Sequence, residues 1–259
     1  MAVEITKRQS PEELELESKL ARLAALESEL AVRELDLATI RASLNSFEKT
    51  YLAIVGKRYA ELDEVRAKIA EAEARLKPHS KEAKEKATEA RRCAQESASA
   101  AAQVDAVPET AFQPSETLKA LYRQAAKALH PDLAGCDEDR ARRHSFMARV
   151  NAAYEAGDEA AIRAILREWD SAPESVHGVG VGPDLIRTIR KIARVEDRLR
   201  AIEDEIAALK ASNISKIKAK AEEATAHGSD LLAETAAQIA GEITAAHARL
   251  EQLERGSKP

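Results

Sequence analysis

Residues 16–51 read LESKLARLAALESELAVRELDLATIRASLNSFEKTY. Leu16, Leu23, Leu30, Leu37, Leu44 and Tyr51 recur every seven residues, and Leu26, Ile40, Phe47 and Ile54 form a second row beside them. Apolar residues at alternating three- and four-residue steps fall on one stripe of a helix, and a stripe sustained this long is a seam for another helix. From Pro11 to Leu76 the only glycine is Gly56, and no proline follows Pro11, so one long helix is predicted. Ser10 supplies an N-cap, Pro11 a first helical residue with its φ already fixed, and Glu12 and Glu13 an acidic first turn that suits the helix dipole. Past Arg58 the second row slips by one position to Leu62, Ile69 and Leu76, while Val65 and Ala72 keep the first. The slip predicts a local change of winding or of partner.

A matching seam starts after Pro183. Leu185, Ile192, Leu199 and Ile206 make one row, with Ile189, Ile202 and Leu209 near the other. It continues less evenly through Ile214, Ile217, Leu231, Ile239, Ile243, Leu250 and Leu253, with breaks expected at Asn213 and Gly228. Each helical region would span about 100 Å at 1.5 Å per residue. Two seams of equal length, separated by a small segment, lead to an expected antiparallel pairing in which Leu30 approaches Ile239 and Leu76 approaches Leu185. Parallel homodimerisation is the competing arrangement, since a Leu/Ile row left in water is an association site.

The composition agrees with long exposed helices. Aromatic residues are only 3% of the 259, while charged residues are 33% with both signs interspersed. A net charge of −5 gives no overall pull toward nucleic acid or an anionic membrane. Cys93 and Cys136 lack the paired spacing of a zinc or redox motif. Residues 1–10 have no apolar core of a secretory signal, and nowhere do eighteen apolar residues run together, so a cytoplasmic location is expected.

The intervening sequence changes texture twice. Residues 80–103 are rich in Ala, Lys and Glu with no strong apolar stripe, which predicts a solvated spacer helix. Val104 to Gln113 reads as a linker, as does 171–182. There Gly178, Gly180 and Gly182 lack the preceding strand and the spacing of a dinucleotide-binding loop. Between the linkers, Tyr122, Phe146, Tyr154 and Trp169 sit among short amphipathic helices that can build a small core. Leu118, Leu121, Tyr122, Ala125 and Leu129 share one helical face, and Lys119, Arg123 and Lys127 follow at four-residue steps on another. Pro131 disfavours helical geometry at His130 and cannot continue the helix, so His130-Pro131-Asp132 is expected as an exposed loop. Phe146, Val150, Ala153 and Tyr154 then give a second apolar face suited to packing antiparallel on the first. His130 and Asp132 have no third ligand, nucleophile or pocket residue nearby in sequence, which argues against catalysis and metal binding. Arg140, Arg142, Arg143 and Arg149 cluster, but adjacent Asp137, Glu138 and Asp139 and the lack of interleaved aromatics argue against nucleic acid.

The basic helix 118–129, the tripeptide His130-Pro131-Asp132 and the run Asn151-Ala152-Ala153-Tyr154 together resemble the J-domain family of co-chaperones, over about a fifth of the chain. The resemblance implies that Lys119, Arg123, Lys127, His130, Pro131 and Asp132 engage an ATP-bound DnaK-type chaperone and stimulate its ATP hydrolysis, with no cofactor in this chain. The family's first helix is unrecognisable in residues 101–113, and helix 159–169 is placed to supply the missing core surface. The family's Gly/Phe-rich, cysteine-rich and β-rich client-binding regions have no counterpart here.

The expected fold is thus all-α, a small J-like domain at the tip of a long antiparallel coiled-coil stalk. Its parts are a first coiled-coil helix (1–77), a spacer and linker (78–113), the J-like domain (114–170), a Gly/Pro linker (171–182) and a second coiled-coil region (183–259). The expected partners are the ATPase chaperone and, through the stalk, a protein client, an assembly or a second copy.

Overall fold

The computed structural model describes residues 10–102, 111–170 and 180–256. The elements are α1 (Pro11–Tyr51), a π-helical turn (Leu52–Gly56), α2 (Lys57–Leu76), α3 (Lys81–Ala102), α4 (Glu116–Leu129), a 3-10 turn (Pro131–Leu133), α5 (Asp137–Glu155), α6 (Glu159–Asp170), α7 (Val181–Ala211), α8 (Asn213–Ala226) and α9 (Leu231–Gly256). No strand occurs among the described residues, so the fold is all-α. Among the same residues no helix is long and apolar enough to cross a membrane. The described residues fall into two compact units, one within Met1–Ser43 and Phe112–Ala211 and the other within Leu44–Ala111 and Ser212–Pro259.

The start of α1 follows from its first four residues. Ser10 Oγ accepts the Glu13 amide at 3.2 Å and Glu13 Oε2 accepts the Ser10 amide at 2.7 Å, a reciprocal capping box. The slip in the second row has a direct structural cause. Residues 52–56 form a π turn, which inserts one extra residue and turns the apolar stripe. Gly56 closes it, because a Cβ there would stand 3.1 Å from Leu52 Cδ2.

In the first unit Leu23, Leu30 and Leu37 of α1 pack with Ile192, Val195 and Ile202 of α7. Arg22 pairs with Glu196 and Arg41 with Glu205, so residue numbers rise together and the two helices run parallel. The expected antiparallel pairing is overturned here. The second unit repeats the outcome: Arg66 meets Glu242 at 3.1 Å and Glu73 meets Arg249 at 3.5 Å, so α2 and α9 also run parallel. Leu30 therefore has α7 as its neighbour, Ile239 packs with Val55, Leu62 and Leu232, and Leu76 is 47% exposed. A Leu/Ile row buries as well in either direction, so the rows carried no information on polarity.

Residues 81–102 are also corrected. Helix α3 turns back along α2, with Arg91 held by Glu71 and Glu64 at 2.8 and 2.7 Å, Ser97 Oγ donating to Asp63 at 2.7 Å, and Ala94 and Ala101 buried. It is a packed partner rather than a solvated spacer, and it runs antiparallel to α2. The expected breaks near Asn213 and Gly228 are present: Ser212 caps α8, and Gly228 takes a φ of +81° between α8 and α9. Most of the linker 171–182 lies outside the described residues, as does 103–110 of the preceding linker, but Val181 and Gly182 belong to α7.

The segment 114–170 is a compact three-helix module of α4, α5 and α6. Tyr122 donates to Asn151 Oδ1 at 2.7 Å and Arg143 to the Ala128 carbonyl at 2.8 Å, which sets α4 and α5 antiparallel as expected. Ile162, Ile165 and Leu166 of α6 share the core with Leu118, Tyr122, Ala125, Leu129, Val150 and Tyr154. Leu121 and Phe146 are only partly buried at its edge, and Phe112 reaches it from before α4, with its ring 5.6 Å from that of Tyr154. Gly157, at a φ of +73°, ends α5 in a Schellman turn, with the Asp158 amide bonded to the Ala153 carbonyl at 2.8 Å. The module does not sit at the tip of α1. Ala31, Leu35 and Ala38 enter its core, and Thr39 Oγ1 lies 2.7 Å from Tyr154 Oη, so it packs on the flank of that helix. The apolar faces of α4 and α5 are thus covered by α1 as well as by α6.

Candidate functional site

The site is built at the carboxy-terminal end of α4. Ser115 begins the helix by accepting the Leu118 amide at 3.0 Å and also donates to Glu159 at 2.6 Å, tying α4 to α6. Pro131 ends it after fourteen helical residues. His130 leaves helical geometry at φ −62° and ψ 130°, the extended conformation a following proline imposes. The chain then makes a single 3-10 turn, with the Leu133 amide on the His130 carbonyl and the Ala134 amide on the Pro131 carbonyl, both at 3.1 Å.

Lys119, Arg123 and Lys127 lie along one side of α4. Lys119 is tied to Glu116 at 2.8 Å, and that hydrogen bond holds its ammonium above the usual lysine range. Arg123 is half-buried and Lys127 exposed. Lys127 and Arg143 act on Glu27 of α1: burial lifts the Glu27 carboxyl above the usual range, against the pull of Lys191, Arg143 and Lys127.

The tripeptide departs from its expected exposure. His130 is only 4% exposed, and Pro131 and Asp132 are half-buried. His130 Nδ1 accepts the Asp132 amide at 3.2 Å, so the neutral ring carries its proton on Nε2 and donates it to Glu34 Oε1 at 2.8 Å. The same oxygen accepts from Arg198 Nε at 2.7 Å, and Arg198 reaches Glu205 at 2.9 Å. Burial pushes the Glu34 carboxyl up, but the hydrogen bonds from His130 and Arg198 and the Arg198 charge outweigh it and hold Glu34 below the usual carboxylate range. Leu133 completes the attachment by packing among Leu30, Leu37, Ile192 and Val195. No family model, curated protein or solved structure matches the chain.

Lys127 in the last turn of α4 ends the basic side next to the tripeptide, whereas Lys119 lies in the first turn of the same helix. Glu34 and Arg198 were not expected. A trace of them exists in the seam rows: the second row of α1 skips from Leu26 to Ile40 across Arg33, and that of α7 skips from Ile189 to Ile202 across Glu196. These charged interruptions flank the Glu34–Arg198 contact. The arginines of α5 gain the aromatic neighbours that the sequence did not reveal, since the Phe146 and Trp169 rings lie 5.4 Å apart beneath Arg142 and Arg149. Carboxylates neutralise most of that cluster, with Arg140 on Asp137, Arg143 on Asp139 and Arg149 on Glu168.

Proposed function

We propose that the chain is a J-domain co-chaperone that recruits a DnaK-type ATPase chaperone and stimulates its ATP hydrolysis in the cytoplasm. The observation that carries this reading is the His130-Pro131-Asp132 turn closing a basic-sided helix that packs antiparallel on α5 through Tyr122 and Asn151. The chemistry belongs to the partner. Lys119, Arg123 and Lys127 steer the module onto an acidic surface, because complementary charge acts first on the rate of encounter. Asp132 then makes the polar contact that couples binding to hydrolysis, a contact made differently in the partner's two states. The seam-bearing helices hold what the chaperone is recruited to serve, whether a protein client, an assembly or a second copy.

The test is ATP turnover by the purified DnaK-type partner with and without this chain. The wild type should raise the turnover, and Asp132→Asn should abolish the increase while leaving Trp169 fluorescence and helical circular dichroism unchanged. Undiminished stimulation by a folded Asp132→Asn protein would sink the reading.

A further inference from the structure

The loop assigned above to partner binding is covered by its own chain. The His130 ring is enclosed, its Nε2 proton is committed to Glu34, and Leu133 is inserted between α1 and α7. Arg198 of α7 closes the arrangement from the other side by sharing Glu34 Oε1 with His130.

We propose that the α1–α7 pair is a closed cover over His130-Pro131-Asp132, latched by Glu34 and Arg198, and that the partner chaperone gains the loop only when α7 parts from it. This rests on the co-chaperone reading. The latch is built to open from the α7 side. Arg198 keeps 26% of its side chain exposed, against 5% for His130 and 9% for Glu34. A cavity of about 180 Å³ bounded by Glu34, Arg41, Tyr122, Asn151 and Arg198 leaves room for the guanidinium to swing away. Removing Arg198 leaves the His130–Glu34 bond and the module core untouched, so the variant shifts the closed-to-open balance without altering the loop. A partner that binds only the open form sees its apparent affinity scaled by the open fraction. Loss of one charge-assisted pair corresponds to about a tenfold rise in that fraction.

The experiment uses the full chain with Cys93→Ser and Cys136→Ser, in two forms. In one, Arg198→Ala opens the latch. In the other, Arg22→Cys with Glu196→Cys is joined by a short bismaleimide, with singly capped thiols as the control. Stimulation of the partner's ATP turnover is titrated against co-chaperone concentration. The half-maximal concentration should fall about tenfold for Arg198→Ala and the crosslinked form should lose most of its stimulation. Unchanged titrations in both forms, with the wild type active, overturn the cover while leaving the co-chaperone reading intact. Absence of stimulation from the wild type, the open variant and the capped control overturns both.

Discussion

Both ring nitrogens of His130 are occupied, and Glu34 is the acceptor that fixes one of them. Because the folded Glu34 carboxyl titrates below its ordinary value of 4.5, its contribution to stability is fully present above that value and is lost as pH falls through the lower folded one. Glu34→Gln keeps an oxygen for the histidine and removes the charge that Arg198 uses. It should cost about 1.5–3 kcal/mol at neutral pH, the range for a charge-assisted bond, and the deficit should shrink as the solution is taken below pH 4.5. Trp169 is the only tryptophan and lies in the module core's margin, so its fluorescence during urea unfolding reports this unit alone. A deficit of the same size in acid would show that the Glu34 charge is not what stabilises the site. The bend at His130 was readable from Pro131 alone, since the constraint is local. The burial of His130 was not, because its partners lie 96 residues before it and, through Glu34, 164 residues apart in sequence.

Among the elements, α1 and α7 announce themselves by Leu and Ile rows, and even the π turn is foreshadowed by the one-position slip between Ile54 and Leu62. Helix α3 gave no such signal. Its contact with α2 is made by alanines, which pack through close approach of backbones rather than by large apolar side chains, and by Arg91 and Ser97, which look like ordinary surface residues until their partners are known. Ala94→Leu overfills that contact. The expected loss is about 1–3 kcal/mol, read as faster amide exchange across residues 81–102. A solvated spacer would tolerate the leucine or gain from its higher side-chain burial, so unchanged exchange would restore the spacer picture.

Over the whole chain, the all-helical class and the presence of two long seams were legible, whereas the direction of their pairing was not. Direction is encoded in charges such as Arg66 and Glu242 or Glu73 and Arg249, which become partners only once a register is chosen. Cysteine pairs at 66 and 242, and at 73 and 249, should each join with a short bismaleimide inside one chain lacking Cys93 and Cys136. A pair placed by Glu73→Cys and Thr235→Cys should stay unlinked. Joining of 73 to 235 would make α9 antiparallel to α2 and reverse the conclusion. Parallel pairing also carries a temporal consequence. The partners Arg22 and Glu196 are separated by 174 residues, and Arg66 and Glu242 by 176. At translation speeds of about 5–20 residues per second, the leucine seam of α1 and α2 waits roughly ten to thirty seconds for the strip it will cover. During that interval a nascent chain exposes a ready-made adhesive surface, so the ribosome-bound protein is itself a candidate for protection by the chaperones its finished form is proposed to recruit.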